Sequence, residues 1–226
     1  MIRKTILLGA ALALLGLSAC GRPPVQYVSD DVAERVTYRH NGPPRLTLFT
    51  MINNDSGAGA HSALMINGSQ RVIFDPAGTV SHPQIPERHD VILGANPHLV
   101  DAYTRAHARS TYHVVLQEFD VSAEVAELAL QKAFANGPAN SGTCALTTSG
   151  LLASLPGLEG IRSTWFPKAL MEDFAKLPNV RRSELFEYDD PDKAVALRAY
   201  VPAEVAASRA RKAAAKDSAA QVATAE

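Results

Sequence analysis

Between two short runs of β-forming residues, His61 to Ile66 and Arg71 to Asp75, stands the tetrapeptide Asn67-Gly68-Ser69-Gln70. Asn-Gly supplies the backbone angles that a tight hairpin needs, so the two runs are expected to pair antiparallel. That commits this part of the chain to a sheet whose register decides which residues share a face. Arg45 to Ile52 carries alternating β-formers and is expected as a preceding strand, separated from the hairpin by the turn-rich loop Asn53-Asn54-Asp55-Ser56-Gly57-Ala58-Gly59. Thr111 to Val121, centred on Val114-Val115-Leu116, reads as a later strand.

The helical signals lie on either side of that later strand. Pro97 to Ala108 has Asn96 placed to cap it and Pro97 at its first position. Ser122 is placed to cap a helix running to about Ala135, with Val125, Ala126, Ala129, Leu130 and Ala133 on one side and Glu124, Glu127 and Gln131 opposite. Asn136-Gly137-Pro138 stops it. A second helix is expected from Cys144 to before Pro156-Gly157, a third short one over Leu170 to Leu177, and a last strand over Glu184 to Tyr188. This order favours an α+β fold, an antiparallel sheet with helices on one side. Trp165, beside Phe166-Pro167, is expected as a core anchor.

The start of the chain has a different character. Arg3 and Lys4 precede an apolar run from Ile6 to Leu17, too short for the ~20 residues that span a bilayer. The run ends Leu17-Ser18-Ala19-Cys20, small residues before a cysteine, and so resembles the lipobox of bacterial lipoproteins. That resemblance implies a signal peptide over 1–19 and a membrane anchor through lipid on Cys20. It also implies a cell envelope location facing the periplasm. Gly21 stands where the usual inner-membrane retention signal would place Asp, which points to the outer membrane. Residues 20–30, with Gly21-Arg22-Pro23-Pro24, read as an extended tether, and 31–202 as one folded domain. The segment 203–226 reads as a solvated helix or disordered tail. From Ser208 onward it is Ala-rich and charged, with Val222 its single aliphatic residue larger than Ala.

The 226 residues carry a formal net charge of −1, which leaves no electrostatic footprint for nucleic acid. With Cys20 acylated, Cys144 is the remaining cysteine of two, so an intramolecular disulfide is excluded. No cofactor is expected. His82, His89 and Asp90 are interrupted by Pro83 and Pro86 at spacings that match no standard metal site, and are read as a solvated loop. His98, His107 and His113 fall within helix or strand patterns that account for them.

Two places could carry chemistry. If the hairpin turn centres on Gly68, His61 pairs across from Asp75 on the same face, close enough for a carboxylate to orient an imidazole. The other reading is a surface histidine near a turn aspartate. Cys144 follows Asn140-Ser141-Gly142-Thr143 at the first turn of a helix, where free N–H groups and the positive helix end favour a thiolate. It is equally a small buried hydrophobe in the helix. The spacing leaves both alternatives open.

The order of segments adds a resemblance. Gly59-Ala60-His61-Ser62-Ala63-Leu64-Met65-Ile66, then Arg71-Val72-Ile73-Phe74-Asp75, then Val114 to Ser122 leading into a helix, then Ser141-Gly142-Thr143-Cys144-Ala145-Leu146, resemble one branch of the papain-like hydrolases. This is the circularly permuted NlpC-type branch, which includes the lecithin:retinol acyltransferase-like proteins. The likeness runs from His61 to Leu152, in order and spacing more than in identity. It implies Cys144 as nucleophile, His61 as general base and Asp75 as the third polar member. Thr143 and Asp75 stand where the branch often has Asn and His. The function implied is a membrane-tethered thiol hydrolase or acyltransferase acting on an amide, peptide or ester, with peptidoglycan peptides and acyl groups as substrate classes. The alternative is a non-catalytic envelope lipoprotein that binds a protein partner or peptidoglycan.

Overall fold

In a computed structural model describing residues 27–202 apart from Thr79 and Ser81, the strand Arg45–Asn53 (β1) is buried on both of its faces. The expected signal peptide, Cys20, the tether as far as residue 26 and the tail from residue 203 lie outside the described residues. Alternation sends Leu46 and Leu48 to one side of β1 and Phe49 and Met51 to the other, and all four are at most 2% exposed.

The partners of β1 are Gly59–Asn67 (β2), Arg71–Phe74 (β3), Glu87–Arg88 (β4), Val91–Ile92 (β5), Tyr112–Asp120 (β6) and Arg181–Leu185 (β7). They form one sheet in the order β4-β5-β3-β2-β1-β6-β7, with every pairing antiparallel. The described helices are Asp30–Val36 (α1), Pro97–His107 (α2), Ala123–Ala135 (α3), Cys144–Ala153 (α4), Pro167–Phe174 (α5) and Lys193–Arg198 (α6). The fold is α+β. The helices cover both faces of the sheet, which corrects the expectation of one. Leu46, Leu48, Leu64, Ile66, Val72 and Phe74 form a core with α3, α4 and α5. Phe49, Met51, Ala63, Met65 and Ile73 form a second with α2 and α6.

The helix starts follow their caps. Asn96 Oδ1 accepts from Leu99 N at 3.0 Å, and Ser122 Oγ accepts from Val125 N at 3.3 Å. Either bond is worth about 1 kcal/mol against alanine. Elsewhere the elements shift. α5 begins at Pro167 rather than Leu170, with the proline in its first turn. β7 lies three residues before the expected Glu184 to Tyr188, because charge rather than apolar alternation pairs it: Arg181 bonds Glu118 and Asp120 of β6. The two-residue strands β4 and β5, and α1 and α6, are too short to leave a periodic signal. Trp165 is 59% exposed and Phe166 71%, so neither anchors the core.

The hairpin register is the correction that matters for function. Asn67 pairs with Arg71 and Leu64 with Phe74, so the turn centres one residue later than expected and Ala63, not His61, lies level with Asp75. A slip of two residues preserves parity. His61 and Asp75 therefore remain on one face as diagonal neighbours, about 7–8 Å apart at the backbone, within reach of long side chains.

Candidate active site

His61 sits at the beginning of β2, opposite Met51, where a register shift between Met51 and Ile52 opens the strand pair. Its Nε2 lies 2.6 Å from Oδ1 of Asp75. Asp75 follows β3 directly and is 4% exposed, and its own N–H donates to the carbonyl of Asp90 at 2.7 Å. Tyr103 of α2 donates its hydroxyl to the same Oδ1 at 3.0 Å. That phenol is held in turn by packing, since Phe49 meets the Tyr103 ring edge-on at 5.5 Å. Gly78 completes the cradle: a Cβ there would stand 2.0 Å from Oδ2 of Asp75, so only glycine admits the carboxylate.

Cys144 is the first residue of α4 and is 8% exposed. Gly142, at φ +76°, turns the chain into the helix. Thr143 directs its hydroxyl to the carbonyl of Asn140 at 2.7 Å rather than capping α4. The first N–H groups of α4 thus have no side-chain cap, and helix geometry provides them no carbonyl. Cys144 and His61 line the same cleft, where the imidazole and the backbone at Ser62 and Ala145 act on the thiol. With Nε2 engaged by Asp75, Nδ1 is the ring nitrogen left for Cys144. The structure therefore brings Cys144, His61 and Asp75 into one cluster, with the His61–Asp75 hydrogen bond at its centre. It borders a cleft of about 450 Å³ that is also lined by His107, Arg109, Tyr112 and Lys193.

The electrostatics favour a charged pair. Burial opposes protonation of His61, but the charge and hydrogen bond of Asp75, with Cys144, outweigh it and raise the imidazole to about 10. Burial pushes the Cys144 thiol up, while the His61 bond and charge and the two N–H groups bring it below its ordinary value. Burial likewise opposes ionisation of Asp75, yet His61, His107 and Tyr103 hold its carboxyl below the usual carboxylate range. The arrangement favours an imidazolium beside the Asp75 carboxylate, next to a thiol that ionises more readily than usual.

His107 was accounted for by its helix pattern alone, yet it lines the cleft and stacks on His61 with centroids 6.1 Å apart. Its Nδ1 donates to the carbonyl of Tyr103 at 2.8 Å, and burial holds it neutral, down to about 4. Tyr103 and His107 are four residues apart on one helix face, a spacing that could have marked them together. Lys193 is the other unforeseen member; burial lowers its ammonium, against the pull of Asp75.

The remaining histidines are engaged elsewhere. His98 bonds the carbonyl of Val201 at 2.7 Å and stacks on Tyr200, and His113 bonds Asn54 Oδ1 at 2.7 Å. His82 meets the ring of Tyr200, and His89 that of Tyr27. Asp90 is 3% exposed rather than in a solvated loop, and accepts the N–H of Ala139 at 2.7 Å. Among the described residues no group of three or more His, Cys, Asp and Glu could hold a metal ion. No described helix is long and apolar enough to cross a membrane. Compared with protein-family models, curated proteins and solved structures, the chain matches none.

Proposed function

We propose that this protein is a cell-envelope thiol hydrolase or acyltransferase, tethered to the membrane through lipid on Cys20, and that Cys144 attacks an amide, peptide or ester carbonyl. The observation that carries the reading is the cluster of Cys144, His61 and Asp75 on one cleft, with His61 hydrogen-bonded to the buried Asp75. The order of segments from His61 to Leu152 supports a permuted papain-like, NlpC-type domain. The lipobox-like Leu17-Ser18-Ala19-Cys20 supports the periplasm-facing anchor, with the outer membrane favoured by Gly21.

In the first step the Cys144 thiolate forms a bond to the carbonyl carbon, and the negative charge moves to the oxygen. The N–H groups at the start of α4 are placed to stabilise that oxyanion. Collapse breaks the bond to the amine or alcohol, which leaves with the proton from His61, and a thioester remains on Cys144. Neutral His61 then takes a proton from water, or from an acyl acceptor, as it attacks the thioester. Thiolate is expelled and the imidazolium restored. Asp75 holds the ring through Nε2 at both stages.

The test is mass spectrometry of the native chain after exposure to thiol-directed probes bearing peptide or acyl groups. A single adduct at Cys144, absent in His61→Ala, is expected. Labelling confined to unfolded protein would leave a buried structural cysteine, and with it the alternative of a non-catalytic envelope lipoprotein that binds a partner or peptidoglycan.

A further inference from the structure

The cleft beside Cys144 contains a cation that the acyl-transfer steps leave unused. Lys193 opens α6 and lines the cleft together with Cys144 and His61. The residue is half-buried, and it forms no hydrogen bond or ion pair with a described residue. Its nitrogen is not closed off from water, whereas Nε2 of His107, on the same cleft, is.

The other charges at the cleft are engaged. Arg109 is 5% exposed; its Nη1 meets Asp189 at 3.1 Å, and its Nε donates to the carbonyls of Arg105 and Ala108. Asp192 precedes Lys193 in the chain, but its Oδ1 accepts from Ala194 N at 2.8 Å as the cap of α6. Asp75 is bonded to His61 and Tyr103. The charges of Asp75 and Asp192 act on Lys193 from a distance, and burial outweighs them and lowers its ammonium.

Between these groups the walls are apolar, formed by Met51, Ala60, Ala77 and Ala106. Apolar walls strengthen the attraction between a cation and an anion that enters beside it. A charge drawn partly out of water with no counter-ion gains most from such a ligand. The cleft, about 450 Å³, has room for a ligand of roughly dipeptide size. An anion on that ligand therefore stands close to the carbonyl that Cys144 attacks.

We propose that Lys193 selects the substrate by pairing with a free carboxylate on the residue that adjoins the scissile amide or ester bond. The inference deepens the thiol hydrolase or acyltransferase reading and rests on it. The preferred substrate is an acidic peptide or an acylated amino acid, and an uncharged amide of the same shape is a poor one. The carboxylate is either terminal or on an acidic side chain, since both offer Lys193 the same oxygens.

Three iodoacetyl probes test this, each leaving an alkyl group on sulfur as iodide departs. N-iodoacetyl-L-alanine carries a terminal carboxylate, N-iodoacetyl-L-aspartic acid α-amide carries one on the side chain, and N-iodoacetyl-L-alaninamide is neutral. The rate of adduct formation at Cys144 is read by mass spectrometry on the native full chain. Each rate is divided by that of the same probe with N-acetylcysteine, which removes intrinsic differences in reactivity. At least one anionic probe should then exceed the neutral one by about tenfold, the size of one charge-assisted hydrogen bond, and the faster identifies the source. The His61 imidazolium also attracts anions, so the variants decide. Lys193→Gln should lose most of the advantage, Lys193→Arg should keep it, and Lys193→Glu should abolish it. Equal rates for all three probes overturn the selection by Lys193 and leave the thiol reading standing. So does an advantage that survives in Lys193→Gln. If Lys193→Gln does not fold, Lys193→Glu, which suits the first turn of a helix, decides: an advantage equal to the parent's overturns the proposal. No adduct at Cys144 from any probe in the folded chain overturns the thiol reading and this inference with it.

Discussion

Asp75 sets how firmly His61 holds its proton beside Cys144. With the imidazole raised to about 10, the ring keeps its proton through the neutral range, beside a thiol lowered from its ordinary value. Cys144 should therefore react with iodoacetamide well below the ordinary thiol value of about 8.5. In His61→Ala the profile should return toward that value, and Asp75→Asn should move it less, because the imidazole remains. A profile unmoved by His61→Ala would sink the ion pair. The same shifts govern stability. His61 is raised above its unfolded value of about 6.5, so its contribution is complete below that pH and is lost as pH rises through about 10. Asp75 is depressed, so its contribution is present above about 4 and lost in acid. The pair is strongest between those limits, roughly pH 4 to 6.5. His107, held down to about 4, works the other way: its contribution is present above about 6.5 and is lost as pH falls. Urea unfolding of His61→Ala should show a larger loss near pH 6 than near pH 10. Equal losses would mean that the ring is neutral in the native state.

The elements supply the precision that side chains alone lack. β2 carries His61, the turn after β3 carries Asp75, and the start of α4 carries Cys144. Asp90 ties two of these segments together, since its Oδ2 accepts both Ala77 N and Ala139 N, at 3.3 and 2.7 Å. Gly78 tests the turn. In Gly78→Ala the new methyl group must displace the Asp75 carboxylate from Oδ2, while the backbone carbonyl of Asp75 stands 2.7 Å away and limits the escape. Cys144 should then titrate closer to an ordinary thiol, with the melting temperature lower by a few degrees, equivalent to about 1 kcal/mol. An unchanged Cys144 profile would show that the carboxylate is not positioned by this turn. Most of the element order was legible beforehand, because Asn96, Ser122 and Asn67-Gly68 act on neighbours a few residues away. β7 was expected in its place in the order but three residues late, because its partners Glu118 and Asp120 are some sixty residues distant and the pairing is ionic.

For the whole molecule, helices on both faces of the sheet mean that two separate cores share β1. Among the described residues that scaffold positions Cys144, His61 and Asp75 without a disulfide. Removing the anchor should thus leave the domain intact. Cys20→Ser is expected to accumulate as unprocessed precursor, to take up no palmitate analogue and to melt as the parent domain does. Normal processing with acyl labelling would exclude the lipoprotein reading.

Taken alone, the sequence determined that His61 to Asp75 forms an antiparallel hairpin, that capped helices flank a later strand, and that Cys144 opens a helix. All of these follow from backbone preferences acting within a few residues. It also placed His61 and Asp75 on one face, because a period of two survives an error of two in the register. The contact of Cys144 with His61, the buttressing of Asp75 by Tyr103 and the presence of His107 and Lys193 at the cleft were decided only in three dimensions. These depend on which residues distant in the chain are packed together and on what water that packing removes, and no local pattern encodes either.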